Sequence, residues 1–250
     1  MIKLGLIGFP LGHSFSKSYY LSKFENENIT GVDYDLYALE RIDHFIDLLK
    51  NDVNFKGFNV TIPYKQSVME LVDELSIEAK EIGAVNCITV HRTDDNNLRL
   101  NGYNTDAFGF ENSLAPLLKK HHNRALVLGN GGAAKAVFYT FNKLGIPYSI
   151  VSRNPSNGDL TYDKINKDVM DAHSIIVNCS PVGTFPNTEE CPNIPYEHIT
   201  DKHLLYDLIY NPAETLFLKK GKAHGATIKN GYEMLVLQAE ENWQIWNGNF

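Results

Sequence analysis

The sequence predicts an α/β protein of two domains, and two observations support this prediction. Through the first hundred residues, short apolar runs alternate with amphipathic ones, a β-α-β-α-β-α rhythm that favours a mainly parallel sheet with covering helices. The same rhythm starts again at "ALVLGNGGAAKA". We therefore expect a mixed, mainly parallel N-terminal α/β domain and a Rossmann-like domain, with a cleft between them.

The N-terminal half contains alternating strand and helix patterns followed by a hairpin. Strand patterns lie in "IKLGLIG", "VDYDLYAL" and "FKGFNVTIP", and helical patterns lie in "SYYLSKFENEN", "IDHFIDLLK" and "SVMELVDEL". The runs "AVNCITVHR" and "LRLNGYNTD" flank "TDDNN", which predicts a hairpin because Asp and Asn form turns. A helix is expected from about Thr105 to Lys120, capped by Asn104 or Thr105.

The second half supplies four short apolar strand patterns and a terminal helix. The strand patterns are "ALVLG", "YSIVSRN", "SIIVNCS" and "HLLYDLIY", each stopped by polar residues as in a buried parallel sheet. The stretch "YEMLVLQAEENWQIWNGNF" has helical spacing, and its apolar face contains Leu235, Ala239, Trp243 and Trp246. We assign residues 105–231 to the Rossmann-like domain, and residues 1–104 plus 232–250 to the N-terminal α/β domain.

Composition narrows the class of partner. A chain of 250 residues with a net charge of −7 offers no basic patch, so neither nucleic acid nor a membrane is expected as a partner, and a small molecule is favoured. No apolar run approaches the roughly 20 residues that span a bilayer, and the first residues lack a signal-peptide pattern. We expect a cytoplasmic protein. The three cysteines are widely spaced, so the sequence predicts neither a disulfide framework nor a metal site.

The stretch "LVLGNGGAA" predicts a dinucleotide site rather than a merely glycine-rich turn. Gly129, Gly131 and Ala134 occur in G-x-G-x-x-A order, directly after a strand and opening a helix. Gly129 permits a tight turn, Gly131 lets the backbone approach a pyrophosphate, and Ala134 lets the helix pack closely. The helix N-terminus then offers amide hydrogens to the phosphates.

The end of the next strand pattern favours NADP over NAD. An NAD site usually has Asp or Glu there, but this chain has "VSRN", and Arg153 suits a 2′-phosphate. Lys135 either adds charge to the site or is simply an exposed lysine. The residues that we expect to contact the cofactor are Gly129, Asn130, Gly131, Gly132, Ala133, Ser152, Arg153, Asn154 and Gly231.

Two serines follow the first strand, in the stretch "FPLGHSFSKSYY". Ser14 and Ser16 would lie at the carboxyl end of that strand, which faces the ligand crevice in open α/β sheets. The alternative is helix capping, a role open to Ser16 or Ser18.

Eight motifs in order resemble the shikimate dehydrogenase family over nearly the whole chain: "GHSFSKS", "NVTIPYK", "AVNCIT", "NGYNTDAFG", "LGNGGAAKA", "NCSPVG", "YDLIYNP" and "GYEMLVLQAE". The resemblance implies NADPH-dependent, reversible reduction of 3-dehydroshikimate to shikimate, a step of aromatic amino acid biosynthesis. It also implies that Ser14 and Ser16 bind the substrate carboxylate and that Lys65 and Asp106 transfer the proton. The remaining residues that it places around the substrate are Thr61, Asn86, Tyr210 and Gln238.

Chemistry supports a role for this lysine and this aspartate. Hydride transfer to a ketone leaves a developing alkoxide, which a lysine ammonium in a half-dry cleft can stabilise and protonate. A nearby Asp106 would keep Lys65 charged yet able to transfer its proton. Each also has an ordinary explanation, a solvated lysine after a strand and an acid in the first turn of a helix.

The chain departs from the family pattern in the glycine turn, where Asn130 and Lys135 replace more usual residues. Cys179 is interpreted as a small buried residue, since no histidine in its motif could activate it. Two other functions stay open, quinate dehydrogenase and a catalytically silent NADP-sensing module. The sequence is compatible with a monomer or a homodimer.

Overall fold

The computed structural model describes residues 1–12, 14–93, 95 and 97–248, which form two compact units. The first unit contains Met1–Thr105 and Ala239–Phe250, and the second contains Asp106–Gln238. The elements of the first unit are β1 (Ile2–Gly8), α1 (Phe15–Asn26), β2 (Val32–Ala38), α2 (His44–Asn51), β3 (Phe55–Val60), β4 (Glu74–Leu75), α3 (Ile77–Ile82), β5 (Cys87–Arg92) and β6 (Leu98–Tyr103).

The second unit follows directly in the chain. Its elements are α4 (Asp106–Leu114), β7 (Ala125–Leu128), α5 (Gly132–Lys143), β8 (Tyr148–Val151), α6 (Lys167–Ala172), β9 (Ile175–Asn178), β10 (Leu204–Asp207), α7 (Leu216–Ala223) and β11 (Thr227–Lys229). The last helix, α8 (Tyr232–Asn247), contributes residues to both units.

The first unit is built on a mixed sheet with the strand order β2-β1-β3-β5-β6-β4. β1 pairs in parallel with β2 and β3, whereas β5 is antiparallel to both β3 and β6. The predicted mixed sheet and the antiparallel β5–β6 pair are therefore confirmed, and Asp94 and Asn96 of the predicted turn lie outside the described residues. The carboxyl ends of β1 and β3 lie side by side, and Thr61 N donates to Ile7 O at 2.9 Å.

The helix predicted in "SVMELVDEL" is wrong. Ser67–Glu70 forms one turn of 3-10 helix, and the segment then runs beside β6 as the short strand β4. Asp73 N donates to Leu100 O at 2.8 Å, and the Asp73 carboxylate accepts from Leu100 N at 2.8 Å. These bonds to a strand far along the chain override the local helical pattern, and the next helix starts only after Ser76, which caps it.

The C-terminal part of α8 packs on the first sheet. Trp246 is fully buried, and its ring nitrogen donates to Ile88 O at 3.0 Å. A Cβ at Gly57 would come within 2.3 Å of that nitrogen, so the position next to the indole requires glycine. Apolar residues of β1, β2 and α1, including Leu4 and Tyr20, complete this core.

The second unit is built on a sheet with the order β11-β10-β9-β7-β8, in which every pairing of the described strands is parallel. β7, the first strand of the unit, is flanked by β8 on one side and β9 on the other. The chain thus reverses its direction of winding at β7 and β9, and ligands of such sheets bind outside the carboxyl ends at this switch point. This parallel sheet confirms the predicted Rossmann-like class.

The helix predicted from Thr105 to Lys120 is shorter than expected. α4 ends at Leu114 and continues only as a 3-10 turn, Ala115–Leu117. Pro116 in that turn has no amide hydrogen to continue the helical bonding. Within the described residues, no helix is both long and apolar enough to cross a membrane.

Candidate active site

The glycine turn lies at the switch point of the second sheet. Gly129 follows β7 with a φ of +106°, a conformation that residues with a side chain rarely adopt. A Cβ at Gly129 would be 3.4 Å from the backbone of Cys179 and Ser180, which follow β9. The turn therefore passes directly beside the neighbouring strand end, at the place where a dinucleotide binds in such folds.

The N-terminus of α5 is open to a ligand. Gly131 occupies the N-cap position, and a Cβ built at Gly131 or Gly132 would have no atom of the described residues within 4 Å apart from its chain neighbours and the backbone of α5. Ala134, in the first turn of the helix, is fully buried, which allows α5 to pack closely on the sheet. Open space in front of amide hydrogens that lack helical partners fits the pyrophosphate of a dinucleotide.

A cavity of about 830 Å³ extends from this turn across the carboxyl ends of β7, β8 and β9. Its size is within the range of small-molecule and cofactor pockets. The lining residues are Gly129, Asn130, Gly131, Val151, Ser152, Arg153, Asn154, Asn157, Tyr162, Cys179, Ser180, Pro181, Val182, Cys191, Pro192 and Asn193. None of these described residues is acidic, and Arg153 gives the cavity wall a positive charge.

Six of the nine predicted cofactor residues line this cavity, namely Gly129, Asn130, Gly131, Ser152, Arg153 and Asn154. Gly132, Ala133 and Gly231 do not appear in its lining. Local packing explains why residue 231 is a glycine, because a Cβ there would lie 2.1 Å from Leu208 O. Whether the six contact the cofactor stays a prediction.

Polar side chains of the turn and the next loop hold each other in place. The Asn130 amide donates to Asn157 O at 2.6 Å, and Ser152 Oγ accepts from Asn154 N at 3.2 Å. Sequence reasoning did not single out Asn157, Tyr162 or the segment 191–193, because no local pattern indicates which loops face one cavity.

Cys179 lies at this switch point, and desolvation raises the pKa of its thiol well above the usual range. The thiol therefore stays protonated at neutral pH. The predicted full burial of Cys179 is wrong, because the residue is half-buried and lines the cavity.

In the first unit, the two serines follow the carboxyl end of β1. Ser14 is the N-cap residue of α1, yet within the described residues its side chain makes no capping hydrogen bond. Ser16 hydrogen-bonds to the buried Tyr34 hydroxyl, which itself donates to Asn59 Oδ1 at 2.7 Å. Since Tyr34 has one hydroxyl hydrogen, Ser16 is the donor in this bond and must turn to donate to a ligand.

Lys65 and Asn86 come from neighbouring backbone segments of the same unit. Val85 N donates to Lys65 O at 2.7 Å, which ties the loop after β3 to the segment that precedes β5. Asn86 is 2% exposed, and its Oδ1 accepts from Thr105 N at 2.8 Å. Asp106 is the residue that follows Thr105 and begins α4.

The remaining predicted substrate residues belong to the second unit. Tyr210 follows β10 and is 41% exposed, whereas Gln238 is buried and its amide donates to Leu235 O at 3.0 Å. Within the described residues, no group of His, Cys, Asp or Glu side chains could hold a metal ion.

A buried carboxylate organises the carboxyl end of β10. Asp207 is fully buried and accepts from Thr215 Oγ1 at 2.6 Å, Asn178 Nδ2 at 3.0 Å and Ile209 N at 3.1 Å. Desolvation raises the pKa of Asp207 to about 6, and the hydrogen bonds oppose this rise. Sequence reasoning did not predict this residue, although it lies within the motif "YDLIYNP".

A parallel sheet with a glycine turn at its switch point, facing a large cavity that carries an arginine, defines a dinucleotide-binding α/β protein. The sequence model described as "Shikimate dehydrogenase substrate binding domain" matches residues 6–88. A shikimate dehydrogenase (NADP(+)) of Clostridium beijerinckii is 41% identical over 255 residues, which cover 97% of this chain and 90% of the relative.

Solved structures agree with this match. Shikimate 5-dehydrogenase from Thermus thermophilus, in complex with NADP(H) and shikimate, superposes with a TM-score of 0.84 at 28% identity, covering 99% of this chain and 94% of that one. Quinate dehydrogenase from Corynebacterium glutamicum in complex with NAD gives a TM-score of 0.87 at 25% identity, with the same coverage. The chain belongs to the shikimate dehydrogenase family.

Proposed function

We propose that this chain catalyses the reversible, NADPH-dependent reduction of 3-dehydroshikimate to shikimate. The observation that carries the proposal is the 41% identity to a shikimate dehydrogenase (NADP(+)) over 97% of the chain. The quinate dehydrogenase relative is less similar in sequence, at 25% identity. Retention of Lys65 and Asp106 argues against a silent sensing module.

The cofactor is NADP, which supplies or accepts the hydride when bound. The open N-terminus of α5 receives the pyrophosphate, and Arg153 pairs with the 2′-phosphate. Support for this assignment comes from the cavity wall, because its described residues offer no carboxylate for a free ribose 2′-hydroxyl.

The substrate carboxylate is held by the hydroxyls of Ser14 and Ser16. The absence of a capping bond from Ser14 within the described residues supports this role, since a pure capping residue would use its oxygen on α1. Thr61, Asn86, Tyr210 and Gln238 contact the rest of the substrate.

Lys65 and Asp106 carry the proton transfer. In the reducing direction, hydride adds to the carbonyl carbon, the C=O π electrons move to oxygen, and the Lys65 ammonium donates a proton to that oxygen. In the oxidising direction, neutral Lys65 accepts the hydroxyl proton as hydride leaves. The Asp106 carboxylate stabilises the charged lysine and accepts a hydrogen bond from the substrate.

The proposal extends to organisation. Residues 1–104 and 232–250 form the substrate domain and residues 105–231 form the NADP domain, whereas the compact units divide after Thr105 and after Gln238. The protein acts in the cytoplasm as a monomer or a homodimer.

The test is turnover by the purified chain, followed by the absorbance of reduced nicotinamide. Shikimate and quinate are each supplied with NADP and with NAD. We expect the highest kcat/KM for shikimate with NADP. A higher value for quinate with NAD would make the chain a quinate dehydrogenase, and NADP binding without any turnover would make it a sensing module.

A further inference from the structure

Three buried polar side chains meet at the residue that precedes Asp106. Thr105 lies between Asn86, which directly precedes β5, and Asn242, on α8. The exposed fractions are 2% for Asn86, 2% for Thr105 and 0% for Asn242. Buried polar groups of this kind are costly unless they are hydrogen-bonded, so their bonds define one arrangement.

The bonds have definite directions. Thr105 N donates to Asn86 Oδ1 at 2.8 Å, which identifies the oxygen of that amide, and Asn86 Nδ2 donates to Thr105 Oγ1 at 3.0 Å. The single hydroxyl hydrogen of Thr105 has two acceptors in reach, Asn242 Oδ1 at 2.7 Å and Asn86 Oδ1 at 3.2 Å. The shorter bond to Asn242 is favoured, because Asn86 Oδ1 already accepts the backbone hydrogen.

Asn242 is itself oriented by Tyr20. The Tyr20 hydroxyl donates to Ala239 O at 2.8 Å and is also hydrogen-bonded to the Asn242 side chain. Since the phenol has one hydrogen, it accepts from Asn242 Nδ2, and the Asn242 oxygen is left facing Thr105. A helix residue distant in sequence thus fixes the hydroxyl rotamer of Thr105 and, through it, the orientation of the Asn86 amide.

The network connects the two backbone segments that carry the proposed proton-transfer groups. One end is the peptide of Thr105, which is followed directly by Asp106. The other end is Asn86, whose chain neighbour Val85 donates to the Lys65 carbonyl at 2.7 Å. A shift of Thr105 or a turned Asn86 amide would therefore displace groups that must align within a fraction of an ångström.

We propose that Asn242 is a positioning residue for the reaction: its side-chain oxygen sets the Thr105 hydroxyl, and thereby the Asn86 amide and the first residue of α4. This inference rests on the proposed function. In the proposed reaction Asn242 touches neither substrate nor cofactor, and it acts only through Thr105.

The experiment compares Asn242→Leu, which keeps the size but removes the acceptor, with Thr105→Val, which keeps the shape but removes the hydroxyl. The double variant measures whether both act through one bond. Thr105→Ser restores the hydroxyl, and Asn247→Leu is the matched control at an exposed position of α8. The readouts are kcat, KM, the shikimate and NADP Kd values, and the melting temperature.

We expect each single variant to lower kcat by about 10- to 100-fold, the usual effect of a small misalignment, with NADP Kd unchanged. The double variant should be little worse than either single variant, and Thr105→Ser should retain nearly all of the wild-type kcat. A role in stability alone would lower the melting temperature without this pattern in kcat.

A wild-type kcat in folded Asn242→Leu, or losses that multiply in the double variant, would overturn the inference while leaving the proposed function intact. Wild-type protein without shikimate turnover would overturn both. If Asn242→Leu does not fold, Thr105→Val decides, since wild-type kcat in that variant excludes a positioning role for the bond.

Discussion

Removal of the Arg153 guanidinium should abolish most of the preference for NADP over NAD. Arg153 lies in the loop after β8, on the wall of the cavity beside the glycine turn. Its charge acts on another wall residue, because desolvation raises the pKa of Tyr162 and Arg153 partly opposes that rise. A 2′-phosphate at this wall would meet the guanidinium, whereas NAD presents only a hydroxyl there.

The expected magnitude follows from the exposure of the arginine. A hydrogen bond to a charged group contributes about 1.5 to 3 kcal/mol, and solvent around the exposed Arg153 places the value in the lower half of this range. About 1.5 to 2 kcal/mol corresponds to a 10- to 30-fold weaker Kd for NADP in Arg153→Ala. The Kd for NAD should stay nearly unchanged, because NAD has no 2′-phosphate with which the guanidinium could pair.

Isothermal titration calorimetry with both cofactors measures these constants. Arg124→Ala is the control, since Arg124 is also exposed but precedes β7 at the opposite end of the strand. Added salt should weaken NADP binding to wild type more than to Arg153→Ala. If Arg153→Ala weakened both cofactors equally, or neither, the 2′-phosphate would have to bind elsewhere.

Three further predictions concern single positions. Ser14→Ala should raise the shikimate Kd about 10-fold, because one hydrogen bond to a charged group is lost, and should leave the melting temperature unchanged. If Ser14 were a helix cap, calorimetry would show normal shikimate affinity and thermal melting would show lower stability. Gly57→Ala should destabilise the chain by about 1 to 3 kcal/mol through overlap with Trp246, and Gly12→Ala, which has open space, should not, as urea denaturation will show. The pKa of Asp207 is about 6, above its usual unfolded value of 3.8, so protonation of Asp207 stabilises the folded state. This stabilisation is present in full below pH 3.8 and is lost as the pH rises through 6. Between pH 7 and pH 5 the unfolding free energy of wild type should therefore rise by about 1.4 kcal/mol relative to Asp207→Asn, and parallel pH profiles in urea denaturation would rule out this titration.

Local patterns account for the parts of the fold that the sequence predicts well. The restart of the strand–helix rhythm before Gly129 indicates the second sheet, and the polar "TDDNN" indicates the hairpin. The predicted helix in "SVMELVDEL" is wrong because Asp73 pairs with Leu100, a contact that no window of neighbouring residues contains. Helix α4 stops early at a proline that the sequence does show.

The candidate site also contains some residues that local sequence patterns predict and others that they do not. The positions of Gly129 and Arg153 on one cavity wall are predictable, because the strands that they follow and the glycine turn are close together in sequence. The bond between Thr105 and Asn242 joins residues 137 positions apart, so sequence spacing does not indicate it. One signal was present: Asn242 is a polar residue between Ala239 and Trp246 on the apolar face of α8, where an unpaired amide would be costly.

The most direct test of the proposed mechanism is the kcat for shikimate oxidation by Lys65→Met, Asp106→Asn and the double variant, with Lys80→Met as an exposed-lysine control. Lys65→Met keeps much of the side-chain length but cannot carry a proton, so kcat should fall by about 10²- to 10⁴-fold with NADP Kd unchanged. Since Lys65 and Asp106 are proposed to act as one unit, the double variant should be little worse than the poorer single variant. Near wild-type turnover in Lys65→Met, or losses that multiply fully in the double variant, would contradict the proposed proton transfer by Lys65 and Asp106.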